Sequence, residues 1–108
     1  MDYKGIICAM ITPLDENQNI NEKATRELID YLIDRGVYGL FILGTNGECH
    51  MLTDDEKVEF AKIVIEHTNN RVPVFVGTGG NSTREVINLS KRMEEIGASA
   101  LSIITPYF

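Results

Sequence analysis

Four apolar runs, at residues 6–11, 38–43, 72–76 and 100–104, start at intervals of about thirty residues, and each is continuous rather than alternating. A strand with one wet face alternates polar and apolar side chains, so continuous runs predict strands covered on both faces, as in parallel sheets. Three stretches of helical periodicity fill the intervals. The order β-α-β-α-β-α-β at this spacing is that of right-handed βαβ units, which places the chain in the α/β class. Two architectures share the rhythm, an open doubly wound sheet and a (β/α)8 barrel, and four strands alone do not separate them.

The helical stretches carry their own punctuation. The first, about residues 22–35, places Ala24, Leu28, Tyr31 and Leu32 on one side and stops at Gly36. The second opens with Thr53 and Glu56 spaced as a capping box, with Asp54 and Asp55 complementing the helix dipole and Val58, Ala61, Val64 and Ile65 forming the apolar stripe. The third repeats the device with Ser82 and Glu85, then Val86, Leu89, Met93 and Ile96, and Gly97 just past the end. The segments 36–45 and 97–105 share one pattern, a Gly followed by a β-rich tail through Leu, each reading as a helix end leading into a strand.

No linker or low-complexity stretch interrupts the 108 residues, so one domain is expected. Ten basic against sixteen acidic side chains give a formal charge of −6 without a Lys/Arg cluster. Phosphate binding runs on clustered positive charge, so neither nucleic acid nor an anionic membrane is expected as a partner. The apolar run at the start is too short for a signal peptide, and nothing approaches the ~20 residues of a membrane span, which makes the cytoplasm the expected compartment. Cys8 and Cys49 have no CxxC spacing, and His50 and His67 are far apart, so reduced cysteines and no metal site are expected.

In either architecture ligands gather at the C-terminal ends of the strands. Thr12-Pro13, Gly44-Thr45-Asn46-Gly47-Glu48, Gly77-Thr78-Gly79-Gly80-Asn81-Ser82 and Thr105-Pro106-Tyr107-Phe108 follow the four runs, so every strand delivers a hydroxyl to one rim. Glycines let backbone amides approach a ligand, and Thr and Asn donate to an oxyanion, which suits a carboxylate or a phosphate. The same residue types also serve tight turns and helix caps. Neither glycine stretch matches a nucleotide fingerprint: the third Gly of GxGxxG is missing, and no Lys-Ser or Lys-Thr follows Gly47. His50 reads as a loop or interface histidine and His67 as favouring a helix C-terminus. Glu48 has the position of a general base, or of a carboxylate that closes a Gly loop on backbone amides.

Taken together, Ala9-Met10-Ile11-Thr12-Pro13, Gly44-Thr45-Asn46-Gly47-Glu48, Leu52-Thr53-Asp54-Asp55-Glu56, Gly77-Thr78-Gly79 and Thr105-Pro106-Tyr107 resemble the dihydrodipicolinate synthase/N-acetylneuraminate lyase family, in order and spacing over nearly the whole chain. The resemblance implies the first four strands of a (β/α)8 barrel that performs class I aldolase chemistry. In that chemistry a lysine forms a Schiff base with pyruvate or another 2-oxo acid, with no metal or cofactor. By motif position Thr45, Asn46 and Gly47 would hold the carboxylate together with Ala9 in the substrate-binding set, and Thr45 and Tyr107 would take catalytic roles. Asn46 replaces the usual Thr; its amide still donates to a carboxylate but does not shuttle a hydroxyl proton. Phe108 stands where synthases carry a second Tyr that reaches a neighbouring subunit, which favours a sibling aldolase or lyase.

A barrel of this kind takes roughly 250 residues, so the chain corresponds to an N-terminal half spanning 1–108, and the family's Schiff-base lysine falls outside it. Lys4 precedes the first strand, while Lys23, Lys57, Lys62 and Lys91 fall in helical patterns and are expected to be solvated. Four strands alone leave open edges and an uncovered barrel-facing side, so the chain is expected to form a homo-oligomer or to dock with the remaining half. A non-catalytic half-barrel that binds or assembles is the alternative.

Overall fold

A computed structural model describes residues 6–44, 52–78 and 83–102. Strands β1 (Ile7–Ala9), β2 (Gly39–Ile42), β3 (Val74–Gly77) and β4 (Ala100–Ser102) alternate with helices α1 (Glu22–Asp34), α2 (Asp54–Thr68) and α3 (Thr83–Glu95). The sheet is parallel throughout, in the order β1-β2-β3-β4. Ile7 stands opposite Gly39, Leu40 opposite Val74, and Phe75 opposite Ala100.

Sequential order separates the two architectures that the spacing leaves open. Right-handed crossovers that all step in one direction put every helix on the same face, whereas a doubly wound sheet reverses direction and carries helices on both. Here Ile29 of α1, Phe60, Ala61 and Val64 of α2, and Leu89 and Met93 of α3 form one core with Leu40, Ile42, Val74 and Val76. The chain is the first half of a (β/α)8 barrel, with its helical layer on the outside.

Burial along the strands therefore alternates. Leu40, Ile42, Val74 and Val76 are buried under the helices, while Phe41 and Phe75 are half-buried and Ile7 and Ala9 exposed on the other face. The continuous apolar runs predict cover on both faces; among the described residues only one is covered. Small residues fit the aromatic ones on the open face. A Cβ on Gly39 would meet Phe75 Cε2 at 2.9 Å, and one on Gly44 would meet Phe41 Cε1 at 2.7 Å.

Local signals set the helix limits. Asn21 caps α1, its side-chain oxygen accepting from the Ala24 amide at 3.0 Å. The capping box of α2 is complete: Thr53 Oγ1 accepts from the Glu56 amide at 3.1 Å and Glu56 Oε1 from the Thr53 amide at 2.9 Å. Ser82, expected to begin a second box with Glu85, lies outside the described residues. α2 ends at Asn69, whose left-handed backbone (φ 48°) an asparagine tolerates.

Two helical details differ from the sequence reading. Tyr31, expected on the buried stripe, is 54% exposed and stacks under the Arg35 guanidinium, 4.9 Å from the ring centroid. The face of α1 that is fully buried runs instead through Thr25 and Ile29. Lys57, expected to be solvated, keeps only 13% of its side chain exposed and stands 3.8 Å from Asp54.

Candidate functional site

Parallel pairing brings the C-terminal ends of all four strands to one rim. Ala9 closes β1 there, exposed on the helix-free face and in register with Phe41. The Met10 amide donates to the Phe41 carbonyl at 2.8 Å, carrying the ladder one residue past β1. Thr12 follows and is buried. At the end of β2 come Leu43 and Gly44, and at the end of β3, Gly77 and Thr78.

Thr78 is buried, with its hydroxyl oxygen accepting from Ser90 Oγ of α3 at 2.9 Å. The bond ties the rim to the outer helical layer. Leu43 has a left-handed backbone, φ 59°, although it is not a glycine, and it is 1% exposed. A Cβ on Gly77 would lie 2.7 Å from the Leu43 carbonyl oxygen, so the exits of β2 and β3 touch backbone to backbone.

Thr45, Asn46 and Gly47, together with Glu48, Cys49 and His50, begin one residue beyond Gly44 and lie outside the described residues, as do Gly79 to Ser82, Thr105, Tyr107 and Phe108. Of the residues expected to bind substrate, the described part holds Ala9 alone; it brings together the strand ends from which the others depart. Cys8 is a free thiol, half-buried within β1. Among the described residues no group of three His, Cys, Asp or Glu side chains could hold a metal ion, and no helix is long and apolar enough to cross a membrane.

The electrostatics of the two ends differ. α2 starts on the rim side, and its first turn carries Asp54, Asp55 and Glu56, so the chain's own carboxylates sit at the positive end of its dipole. Arg92 of α3 reaches Asp55 at 2.9 Å and joins the two helices there. At the other end of α2, His67 Nε2 lies 2.9 Å and Arg71 Nη2 3.0 Å from the same Asp30 oxygen of α1. The Arg71 hydrogen bond, helped by His67 and opposed by desolvation, holds the Asp30 carboxyl below its ordinary value of 3.8. Arg71 also donates to the His67 carbonyl at 2.9 Å and the Thr68 carbonyl at 3.0 Å, closing the helix terminus. His67 thus has a side-chain partner on α1 as well as its place at a helix C-terminus. This end of a barrel serves stability rather than chemistry.

Sequence reasoning missed Leu43, because nothing marks a leucine for left-handed backbone. It also missed the Asp30, His67 and Arg71 cluster, in which His67 and Arg71 lie 37 and 41 residues from Asp30. Gly77 was visible only as one more rim glycine.

Residues 2–108 match the profile of the dihydrodipicolinate synthetase family. The 4-hydroxy-tetrahydrodipicolinate synthase of Bacillus subtilis (strain 168) is 39% identical over 108 residues, all of this chain and 37% of its own length. That of Geobacter metallireducens is 43% identical over 106 residues, 98% of this chain and 36% of its own. Among solved structures, YagE, a prophage protein of the dihydrodipicolinic acid synthase family from E. coli K12 in complex with pyruvate, superposes with a TM-score of 0.94 at 40% identity, covering 98% of this chain and 36% of that one. The chloride-inhibited dihydrodipicolinate synthase of Acinetobacter baumannii complexed with pyruvate gives 0.92 at 36% identity, covering 96% and 36%. The chain therefore spans a little over a third of the length of the relatives it matches.

Proposed function

The chain belongs to the dihydrodipicolinate synthetase family, and on that premise we propose that the protein it represents is a carbon–carbon lyase or aldolase that condenses or cleaves pyruvate or another 2-oxo acid. The observation that carries this reading is the single rim: four parallel strands end together, and the motif residues leave from those ends. Residues 1–108 are the N-terminal half of one barrel domain in this reading. The carboxylate is held by the hydroxyl of Thr45, the side-chain amide of Asn46 and the backbone amide of Gly47, beside Ala9. Thr45 and Tyr107 serve the proton transfers.

The nucleophile is a lysine outside these 108 residues. Its neutral amine adds to the C2 carbonyl, and with the uptake of one proton a water leaves, giving a protonated Schiff base. That cation accepts the electron pair when a C3 proton departs, and the resulting enamine attacks an aldehyde carbon. No metal or organic cofactor takes part. Two relatives are solved with pyruvate, which supports a substrate of that class. The described lysines all lie on helices: Lys23, Lys62 and Lys91 are exposed, and Lys57 pairs with Asp54, so none suits the nucleophile's role. A cytoplasmic homo-oligomer completes the reading.

The test is intact-mass spectrometry of the complete gene product before and after pyruvate and borohydride. A reduced pyruvate adduct is expected, and Thr45→Val should raise the apparent pyruvate constant. Absence of an adduct would leave an anion-binding half-barrel as the function of this region; unchanged pyruvate kinetics in Thr45→Val would remove the carboxylate role.

A further inference from the structure

We propose that Leu43 and Gly77 are a positioning pair: together they fix the peptide by which the chain leaves β2 and enters residues 45–47, and so set how tightly a 2-oxo acid's carboxylate is held. The inference rests on the role given above to residues 45–47.

Leu43 occupies left-handed backbone at φ 59°. The Cβ of an L-residue crowds the following carbonyl in that region, so a leucine stays there only where its surroundings hold it. Two contacts do so. Its side chain is buried in the core with Leu40, Ile42 and Val76, an anchor that would be lost if the backbone turned back to the extended region. Its carbonyl group rests on the backbone of Gly77: a Cβ there would stand 2.7 Å from the oxygen, 3.2 Å from the carbonyl carbon and 3.5 Å from Gly44 Cα.

Those atoms belong to the main chain, so any side chain at position 77 moves the Leu43–Gly44 peptide and not a flexible tip. Gly44 has little room to give on its own side, where a Cβ would meet the Phe41 ring at 2.7 Å. The absence of two Cβ atoms and the burial of one leucine thus hold a single peptide, and Thr45 is the next residue. Displacing a binding group by a fraction of an ångström is enough to weaken a ligand bound through directed hydrogen bonds.

The experiment uses the complete gene product, with pyruvate as the probe. Gly77→Ala should raise the KM for pyruvate about tenfold, whatever fall in kcat accompanies it through the part of Thr45 in the proton transfers. Leu43→Ala should act in the same direction, and Leu43→Met, which keeps an apolar anchor of similar volume, should return KM to within about twofold of the parent. A merely structural role would lower the folded fraction, and with it the apparent kcat, while leaving KM where it was. Folded Gly77→Ala or Leu43→Ala protein with the parent's KM overturns the pair. If Gly77→Ala does not fold, the Leu43 variants decide the same question. A parent that forms no pyruvate adduct sinks the role of residues 45–47 and the pair with it, whereas a parental adduct with unmoved KM in the variants sinks the pair alone.

Discussion

Gly39→Ala tests the packing of the helix-free face of the sheet. Gly39 begins β2, and a Cβ there would lie 2.9 Å from Phe75 Cε2, 3.1 Å from the Pro73 carbonyl oxygen and 3.4 Å from Pro73 Cγ. Two effects compete. Alanine loses less backbone freedom on folding than glycine, a gain of about 0.5–1 kcal/mol. Forcing a methyl into a filled site costs about 1–3 kcal/mol. The Pro73 oxygen cannot retreat freely, because it accepts from the Leu40 amide at 3.0 Å in the β2–β3 ladder. Steric cost therefore wins, and the net is a destabilisation of about 1 kcal/mol, up to about 2.5 kcal/mol. Equilibrium urea unfolding should show it as a lower midpoint at unchanged slope, a shift of roughly 0.5 M, up to about 1.2 M, for a slope near 2 kcal/mol/M. Combining the change with Phe75→Leu withdraws the ring edge, and the double variant should be less destabilised than the sum of the singles by about 1 kcal/mol. A midpoint that rises in Gly39→Ala, or strict additivity in the cycle, would refute the reasoning, since either means that Phe75 does not fill the space above Gly39.

Two further outcomes follow from the helix termini. Thr53→Ala removes one half of the capping box and leaves the Glu56 amide without its acceptor, so stability should fall by about 1 kcal/mol, with the earliest amide exchange in the first turn of α2. Asp30→Asn should weaken the joint between α1 and α2. The folded-state value of Asp30 lies below 3.8, so its contribution is complete above the unfolded value and is lost as pH falls through the lower folded one. Parent and variant stabilities should therefore differ by a constant amount at neutral pH and converge in acid below about pH 4. A difference that persists undiminished in strong acid, below the folded-state value of Asp30, would show that Arg71 and His67 do not hold the carboxylate.

The element order, the parallel sheet, the capping box at Thr53 and the stripe through Leu89 and Met93 were legible because each rests on local chemistry or on a repeat that any window of the chain displays. The choice between barrel and open sheet was legible only through the resemblance carried by the motifs at the strand ends, since spacing alone does not record the direction of successive crossovers. Tyr31 was misplaced because the apolar period of α1 admits two neighbouring faces; Ile29 fills the inner one, and Arg35 can cover an exposed ring. Continuous apolar strands hid the difference between a face under helices and a face turned toward the barrel interior. The motif residues at 45–47 and 107 were read from pattern, and only the strand ends that deliver them are described. Leu43 stayed invisible for the reason that makes it informative: its conformation opposes its intrinsic preference and is held by tertiary contacts alone.

The sequential strand order also has a kinetic side. Each strand pairs with the next one made: residue 7 with 39, 40 with 74, and 75 with 100, separations of 32, 34 and 25 residues. Among the described residues no strand pairing joins the first strand to the last, because β1 and β4 are the two edges of the sheet. The entropy lost in closing each loop grows only with the logarithm of its length, so the three closures carry nearly equal costs. Such a sheet can grow by one βα unit at a time, in the direction in which a ribosome releases it, each strand finding its template already in place. The slow event would be the first pairing, β1 with β2, which has no preformed edge to join.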